Sequence, residues 1–151
     1  MLRAVAPAWV SRWVGLPFAE KGRGPAFDCW GLVRAVLIER AGLELPSFTD
    51  EYASTLDREA IALIVAGQEA GPWRAIEATQ ARELDVVKLR ARSPHIGLVI
   101  APGLFLHVQE DRASSIDRWD GPWWNRRVLG FVRHEELARP CSPSARPPTL
   151  A

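Results

Sequence analysis

Asp28-Cys29-Trp30-Gly31-Leu32-Val33 decides how this chain reads, because these residues open an amphipathic helix and set a thiol on its first turn. Asp28 is a favoured N-cap residue, and Gly42 is placed as the C-terminal stop. Between them Cys29, Leu32, Val33, Val36 and Leu37 recur at i, i+3, i+4, i+7 and i+8, which is one helical stripe. The face carrying the thiol is therefore also the face expected to pack on the rest of the protein. A cysteine in the first turn sits where free backbone N–H groups and the helix dipole favour a thiolate, the nucleophile of cysteine-based acyl transfer. The alternative is a small buried apolar residue, the commonest fate of a free cysteine.

Working outward, residues 7–14 are expected to form a short helix with Trp9 and Trp13 at an i, i+4 spacing. Three glycines and two prolines in residues 15–27 exclude a regular element there. Residues 57–70 read as a second amphipathic helix that ends at Gly71-Pro72. The pattern then changes to short β-rich runs at 84–89, 95–100, 104–108 and 128–132, separated by turn residues. Helices first and a small antiparallel sheet afterwards predict an α+β domain. One domain over residues 1–137 is expected, followed by a flexible tail over 138–151 in which Pro140, Pro143, Pro147 and Pro148 mix with serines.

The chain has 151 residues, enough for a sizeable core, and 48% of them are apolar, as in ordinary globular domains. A formal net charge of +1 without long basic runs argues against a nucleic-acid partner. Cys29 and Cys141 make no disulfide framework, and without a C-x-x-C or paired histidines no metal site is expected. The first 18 residues are interrupted by Arg3, Pro7, Arg12 and Pro17, so neither a signal peptide nor membrane insertion is expected. Synthesis in the cytoplasm follows as the expectation, with some other carrier if the protein works outside.

Two of the three histidines fall in the expected sheet. His95 begins His-Ile-Gly-Leu-Val-Ile, and His107 lies in Leu-Phe-Leu-His-Val-Gln. If these runs are adjacent antiparallel strands joined through Ala101-Pro102-Gly103, the two imidazoles approach each other, and the helix carrying Cys29 brings the thiol within reach. His95 is then positioned to take the thiol proton and to lower the cysteine pKa as an ion pair. His107 orients the His95 ring, and the Cys29 N–H is available to an oxyanion. The alternative for each histidine is a satisfied structural residue in a strand.

The stretch Gly15-Leu-Pro-Phe-Ala-Glu-Lys-Gly-Arg-Gly-Pro-Ala-Phe-Asp-Cys29-Trp-Gly-Leu-Val33 resembles the nucleophile segment of the NlpC family of papain-like cell-wall cysteine peptidases. His95-Ile-Gly-Leu-Val-Ile is similar to that family's base strand, Phe105-Leu-His107 to its third-residue strand, and Leu84-Asp85-Val86-Val87 to the strand before the base. The resemblance implies a papain-like fold with Cys29, His95 and His107 as catalytic residues and no metal or organic cofactor. It also implies cleavage of the peptidoglycan stem peptide, beside D-glutamate or diaminopimelate. Asp28 becomes a capping and substrate-side residue, with Phe18 and Trp30 beside it. Phe18 stands where many members have a tyrosine, and Trp30 where a serine is common.

Cys-Trp-Gly-Leu-Val-Arg with Gly22-Arg23 upstream resembles the branch found in phage tail tips and gene transfer agents. That branch implies delivery on a tail particle to the bacterial wall or periplasm, and tail hub or tip proteins as partners. Trp119, Trp123 and Trp124, set among Arg118, Arg126 and Arg127, read either as such a binding surface or as rings packed under a loop. Two other readings keep the same residues: a catalytically weak tail-tip structural protein, and an intracellular thiol amidase or acyltransferase.

Overall fold

The protein is described by a computed structural model over residues 5–50, 70–92 and 94–138. The expected helix at 57–70, all but its last residue, and the tail from 139 onward, including Cys141, lie outside these residues. Six strands form one antiparallel sheet: β1 (Trp73–Ile76), β2 (Val86–Arg90), β3 (Pro94–Ala101), β4 (Leu104–His107), β5 (Ser115–Arg118) and β6 (Val128–His134). Their spatial order is β1-β6-β2-β3-β4-β5. The helix α1 (Cys29–Ala41) precedes the sheet, and a short α2 (Glu135–Ala138) follows it. No helix of the described residues is long and apolar enough to cross a membrane.

α1 begins and ends where its capping residues dictate. The Asp28 carboxylate accepts the Gly31 N–H at 2.7 Å, and Gly42 takes the left-handed conformation (φ 66°) with its N–H on the Ile38 carbonyl. Leu32, Val33, Val36 and Leu37 are fully buried and pack with Val86, Leu98, Leu106 and Val132 of the sheet. Each such side chain contributes on the order of 1.5–3 kcal/mol by leaving water. Gly31 is required for a different reason. A Cβ there would stand 2.0 Å from the Gly22 carbonyl oxygen, so only glycine lets the preceding loop lie against the first turn.

The N-terminal segment departs from expectation. Ala8–Trp13 is a 3-10 helix, in which positions i and i+3 align, so Trp9 and Trp13 do not share a face. Trp13 is buried against Phe27, while Trp9 lies at the surface under Arg40 and donates to Glu83 at 2.7 Å.

The four expected strands are present with shifted ends, and two more flank them. Leu84 and Asp85 are not strand residues: Leu84 has φ 76°, and the buried Asp85 closes a turn onto the Arg82 N–H and pairs with Arg133 at 2.7 Å. β1 pairs with β6 (Trp73 opposite His134), and β5 pairs with β4 (His107 opposite Ser115). Both are four-residue edge strands carrying charged residues, a pattern with little hydrophobic alternation to detect.

The sheet has two covered faces. One meets α1. On the other, Val87, Leu89, Val99, Phe105 and Phe131 pack with Trp124, and Trp119 lies on Phe131 with ring centroids 5.0 Å apart. The tryptophan-rich segment is thus largely a cover for the second face. Trp124 is buried and Trp119 half-buried, so they do not form one exposed surface with Trp123. Trp123 is 63% exposed and carries the Arg127 guanidinium over its ring.

Candidate active site

The first turn of α1 is fixed from three directions. Asp28 is buried, caps Gly31 and pairs with Arg23 at 2.9 Å. Arg23 in turn donates through Nε to the Ser47 hydroxyl at 2.9 Å, which ties the loop before α1 to the segment after it. The Trp30 indole donates to the Pro46 carbonyl at 2.9 Å and lies against Phe48. Cys29, as the first helical residue, has a backbone N–H with no acceptor inside the helix.

His95 is the second residue of β3, and His107 is the last of β4. The register Leu98–Leu106 and Val99–Phe105 sets them diagonally across the hairpin, and His95 Nε2 lies 2.8 Å from His107 Nδ1. Side chains alternate along β3, with Ile96, Leu98 and Ile100 toward α1 and His95 and Val99 on the opposite face. His95 therefore stands on the sheet face turned away from the apolar stripe of α1. The first turn of α1 lies at the end of β3, where the Ile96 backbone N–H hydrogen-bonds the sulfur, and Cys29 and His95 line one cleft there.

Behind His107 stands a residue that the sequence reading passed over. His107 Nε2 lies 2.7 Å from Asp117 Oδ2 on β5, and the Trp124 indole N–H points at the same oxygen from 3.4 Å. Trp124 also stacks on His95 (6.0 Å, 22°) and meets His107 edge-on. The available signal was Ser-Ile-Asp-Arg read as a strand beside β4, which would have placed Asp117 on the His107 face.

Electrostatics oppose the expected thiolate. Burial pushes the Cys29 thiol up to about 12, and the neighbouring Asp28 carboxylate adds to the rise. The Ile96 and Trp30 backbone hydrogen bonds and the Arg23 charge pull the other way, by less. Burial pushes His95 down to about 3, with His107 adding, and burial also lowers His107 although Asp117 opposes it. Desolvation thus disfavours the charged form of each group taken singly, against the thiolate that helix position favours.

Cys29 and His95 line one cleft of about 180 Å³ together with Phe18, Arg92, Glu110 and Asp111. Phe18 brings a ring and no hydrogen-bond donor to the wall. Asp28 and Trp30 do not line this cleft, since the carboxylate is spent on the helix cap and Arg23, and the indole on Pro46. Among the described residues, no group of three or more His, Cys, Asp or Glu side chains is placed to hold a metal ion. Chemically, the arrangement offers a thiol, a buried imidazole whose second nitrogen is already held, and a backbone N–H at a helix start. These are the parts of nucleophilic acyl transfer.

Known proteins share this fold. The chain superposes on the NlpC/P60 domain of the peptidoglycan hydrolase SagA with a TM-score of 0.56 at 19% identity, covering 83% of this chain and 92% of that one. An NlpC/P60 family protein from Bacillus cereus ATCC 10987 gives a TM-score of 0.60 at 18% identity, over 86% of this chain and 41% of the other. In sequence, the chain is 21% identical over 131 residues to the gamma-DL-glutamyl hydrolase of Bacillus subtilis (strain 168). That alignment covers 85% of this chain but 29% of the relative, so the chain spans less than a third of that protein's length. Residues 15–133 match the sequence profile of the NlpC/P60 family. That span holds α1, strands β1 to β5, β6 up to Arg133, and Cys29, His95 and His107, and the chain belongs to the NlpC/P60 family.

Proposed function

We propose that this protein is a cysteine endopeptidase that hydrolyses the stem peptide of peptidoglycan, with Cys29 as nucleophile, His95 as base and His107 as the residue that orients it. The observation that carries the reading is the cleft shared by Cys29 and His95, with His95 held from behind by His107 at 2.8 Å. Membership of a family of cell-wall hydrolases supports the substrate class, as do relatives named a peptidoglycan hydrolase and a gamma-DL-glutamyl hydrolase. The cleft presents Arg92 beside Glu110 and Asp111, a lining that suits a substrate with both carboxylate and amine groups.

In this mechanism the thiol is neutral until substrate arrives. Sγ attacks the scissile carbonyl carbon as its proton passes to His95, and the oxyanion meets the Cys29 N–H. The imidazolium then protonates the leaving amine as the C–N bond breaks, leaving a thioester on Cys29. Water, deprotonated by His95, adds to the thioester, and thiol and carboxylic acid separate. Muropeptide analysis of purified peptidoglycan treated with wild type and with Cys29→Ala tests this. New cleaved stems should appear with wild type alone; equal products from both, or none from either across pH 5–9, would overturn it.

Carriage on a phage-like tail or gene transfer agent particle is part of the same proposal. It is supported by the form Cys-Trp-Gly-Leu-Val-Arg with Gly22-Arg23. Tail hub or tip proteins are the partners this reading implies, with Trp123 as the exposed contact. Proteomics of purified particles from the producing cell should recover the chain, and its absence from them would remove this part. A catalytically weak structural component is favoured by one observation, Phe18 lining the cleft without a hydroxyl. The Phe18→Tyr variant separates the two, since a gain of activity on restoring the hydroxyl marks a weakened enzyme.

A further inference from the structure

The hydrogen-bond chain behind the cleft has a direction, and one residue sets it. We propose that Asp117 is a positioning residue which fixes the tautomers of His107 and His95, so that His95 keeps an unprotonated nitrogen for Cys29. A carboxylate accepts hydrogen bonds and donates none. The 2.7 Å contact from His107 Nε2 to Asp117 Oδ2 therefore requires the His107 proton on Nε2. A neutral imidazole carries one N–H, so His107 Nδ1 is left as an acceptor.

That acceptor lies 2.8 Å from His95 Nε2, which must then be the donor. The proton of neutral His95 is thereby held on Nε2, and its Nδ1 carries a lone pair. Nδ1 is the nitrogen turned away from His107 and the one able to receive the thiol proton. Were the chain to run the other way, His95 would carry its proton on Nδ1 and present an N–H to Cys29, which could not act as base.

Trp124 supports the arrangement in two ways. Its indole N–H lies 3.4 Å from the same Asp117 oxygen, and its ring stacks on His95 while its edge meets His107. An N–H aimed at Oδ2 helps to hold the carboxylate in place, and the ring excludes water that would offer both imidazoles alternative partners. Asp117 itself is half-exposed on the edge strand β5, where a side chain is replaceable without opening a core.

The inference rests on the proposed Cys29–His95 chemistry for what the orientation accomplishes, but its first test needs no turnover. In the full chain with ¹⁵N-labelled histidine, two-bond ¹H–¹⁵N spectra at pH 7 report which nitrogen of each ring is protonated. Wild type should show Nε2–H and unprotonated Nδ1 at both His95 and His107. Asp117→Ala should give mixed tautomers at both, and Asp117→Asn, whose amide can donate as well as accept, should also mix them. Finding His95 protonated on Nδ1 in wild type, or unchanged tautomers in both folded variants, would overturn the inference. In stem-peptide hydrolysis, Asp117→Ala should lower kcat on the order of 10²–10⁴-fold with KM nearly unchanged. The expected tautomers in a wild type that cleaves nothing would support the role of Asp117 and refute the peptidase.

Discussion

The two faces of the sheet do different work. The face under α1 is closed by Leu32, Val33, Val36 and Leu37 against Val86, Leu98, Leu106 and Val132, with no ionisable side chain among them. The opposite face mixes its apolar residues with His95, His107 and the Trp124 indole, and its edge ends at Asp117. Apolar packing needs only volume and shape, whereas each buried imidazole needs a partner for each nitrogen. One face therefore supplies stability, and the other holds the residues of the proposed chemistry. Cys29 joins them by starting the helix of the first at the edge of the second.

The sharpest break is expected at the base. His95→Ala should lower kcat/KM on stem peptide by on the order of 10⁴-fold, because it removes the imidazole proposed to take the thiol proton. Next comes the helix face, where the effect changes kind. Leu37→Ala should cost about 3 kcal/mol in urea unfolding, since it empties fully buried volume, while kcat of the folded protein stays near wild type. Equal losses of kcat from both substitutions would dissolve the division between the faces.

Acid should act through the histidine face. Burial holds His95 and His107 below the ordinary histidine value, so the unfolded chain takes up protons that the fold refuses. Stability is then complete above about pH 6.5 and falls as pH drops, by up to about 1.4 kcal/mol per pH unit for each histidine. The raised Cys29 thiol works in the opposite sense: its contribution is complete below about pH 8.5 and is lost as pH climbs toward 12. Urea midpoints across pH 4–10 should trace a plateau between these limits, and a midpoint rising from pH 6.5 to pH 5 would contradict the neutral histidines. The smallest effect belongs to Trp123→Ala, within about 0.5 kcal/mol of wild type in stability, because that ring is exposed.

The same division explains what the sequence made legible. Periodic apolar residues and paired caps announced α1 within a residue, and alternation announced β2, β3, β4 and β6 with shifted ends. The thiol and both histidines were visible because their residue types carry the chemistry. Asp117 was not, because Ser115–Arg118 holds two charged residues in four and shows no apolar period. Trp124 was seen but not placed, since a tryptophan beside arginines reads alike as an anchor under a loop and as a contact surface. The surroundings of the thiol were not legible for a related reason. Helix position favours a thiolate, and only three-dimensional burial shows that desolvation and Asp28 outweigh it.

The central claim is that Cys29 attacks the substrate carbonyl with His95 as its base, and trapping the thioester tests it most directly. Intact-mass analysis after acid quench during turnover of a stem peptide should show one acyl adduct, localised to Cys29 by peptide mapping. The adduct should be absent from Cys29→Ala, which should also release no product. Product release with no adduct on Cys29, and undiminished in Cys29→Ala, would contradict the account.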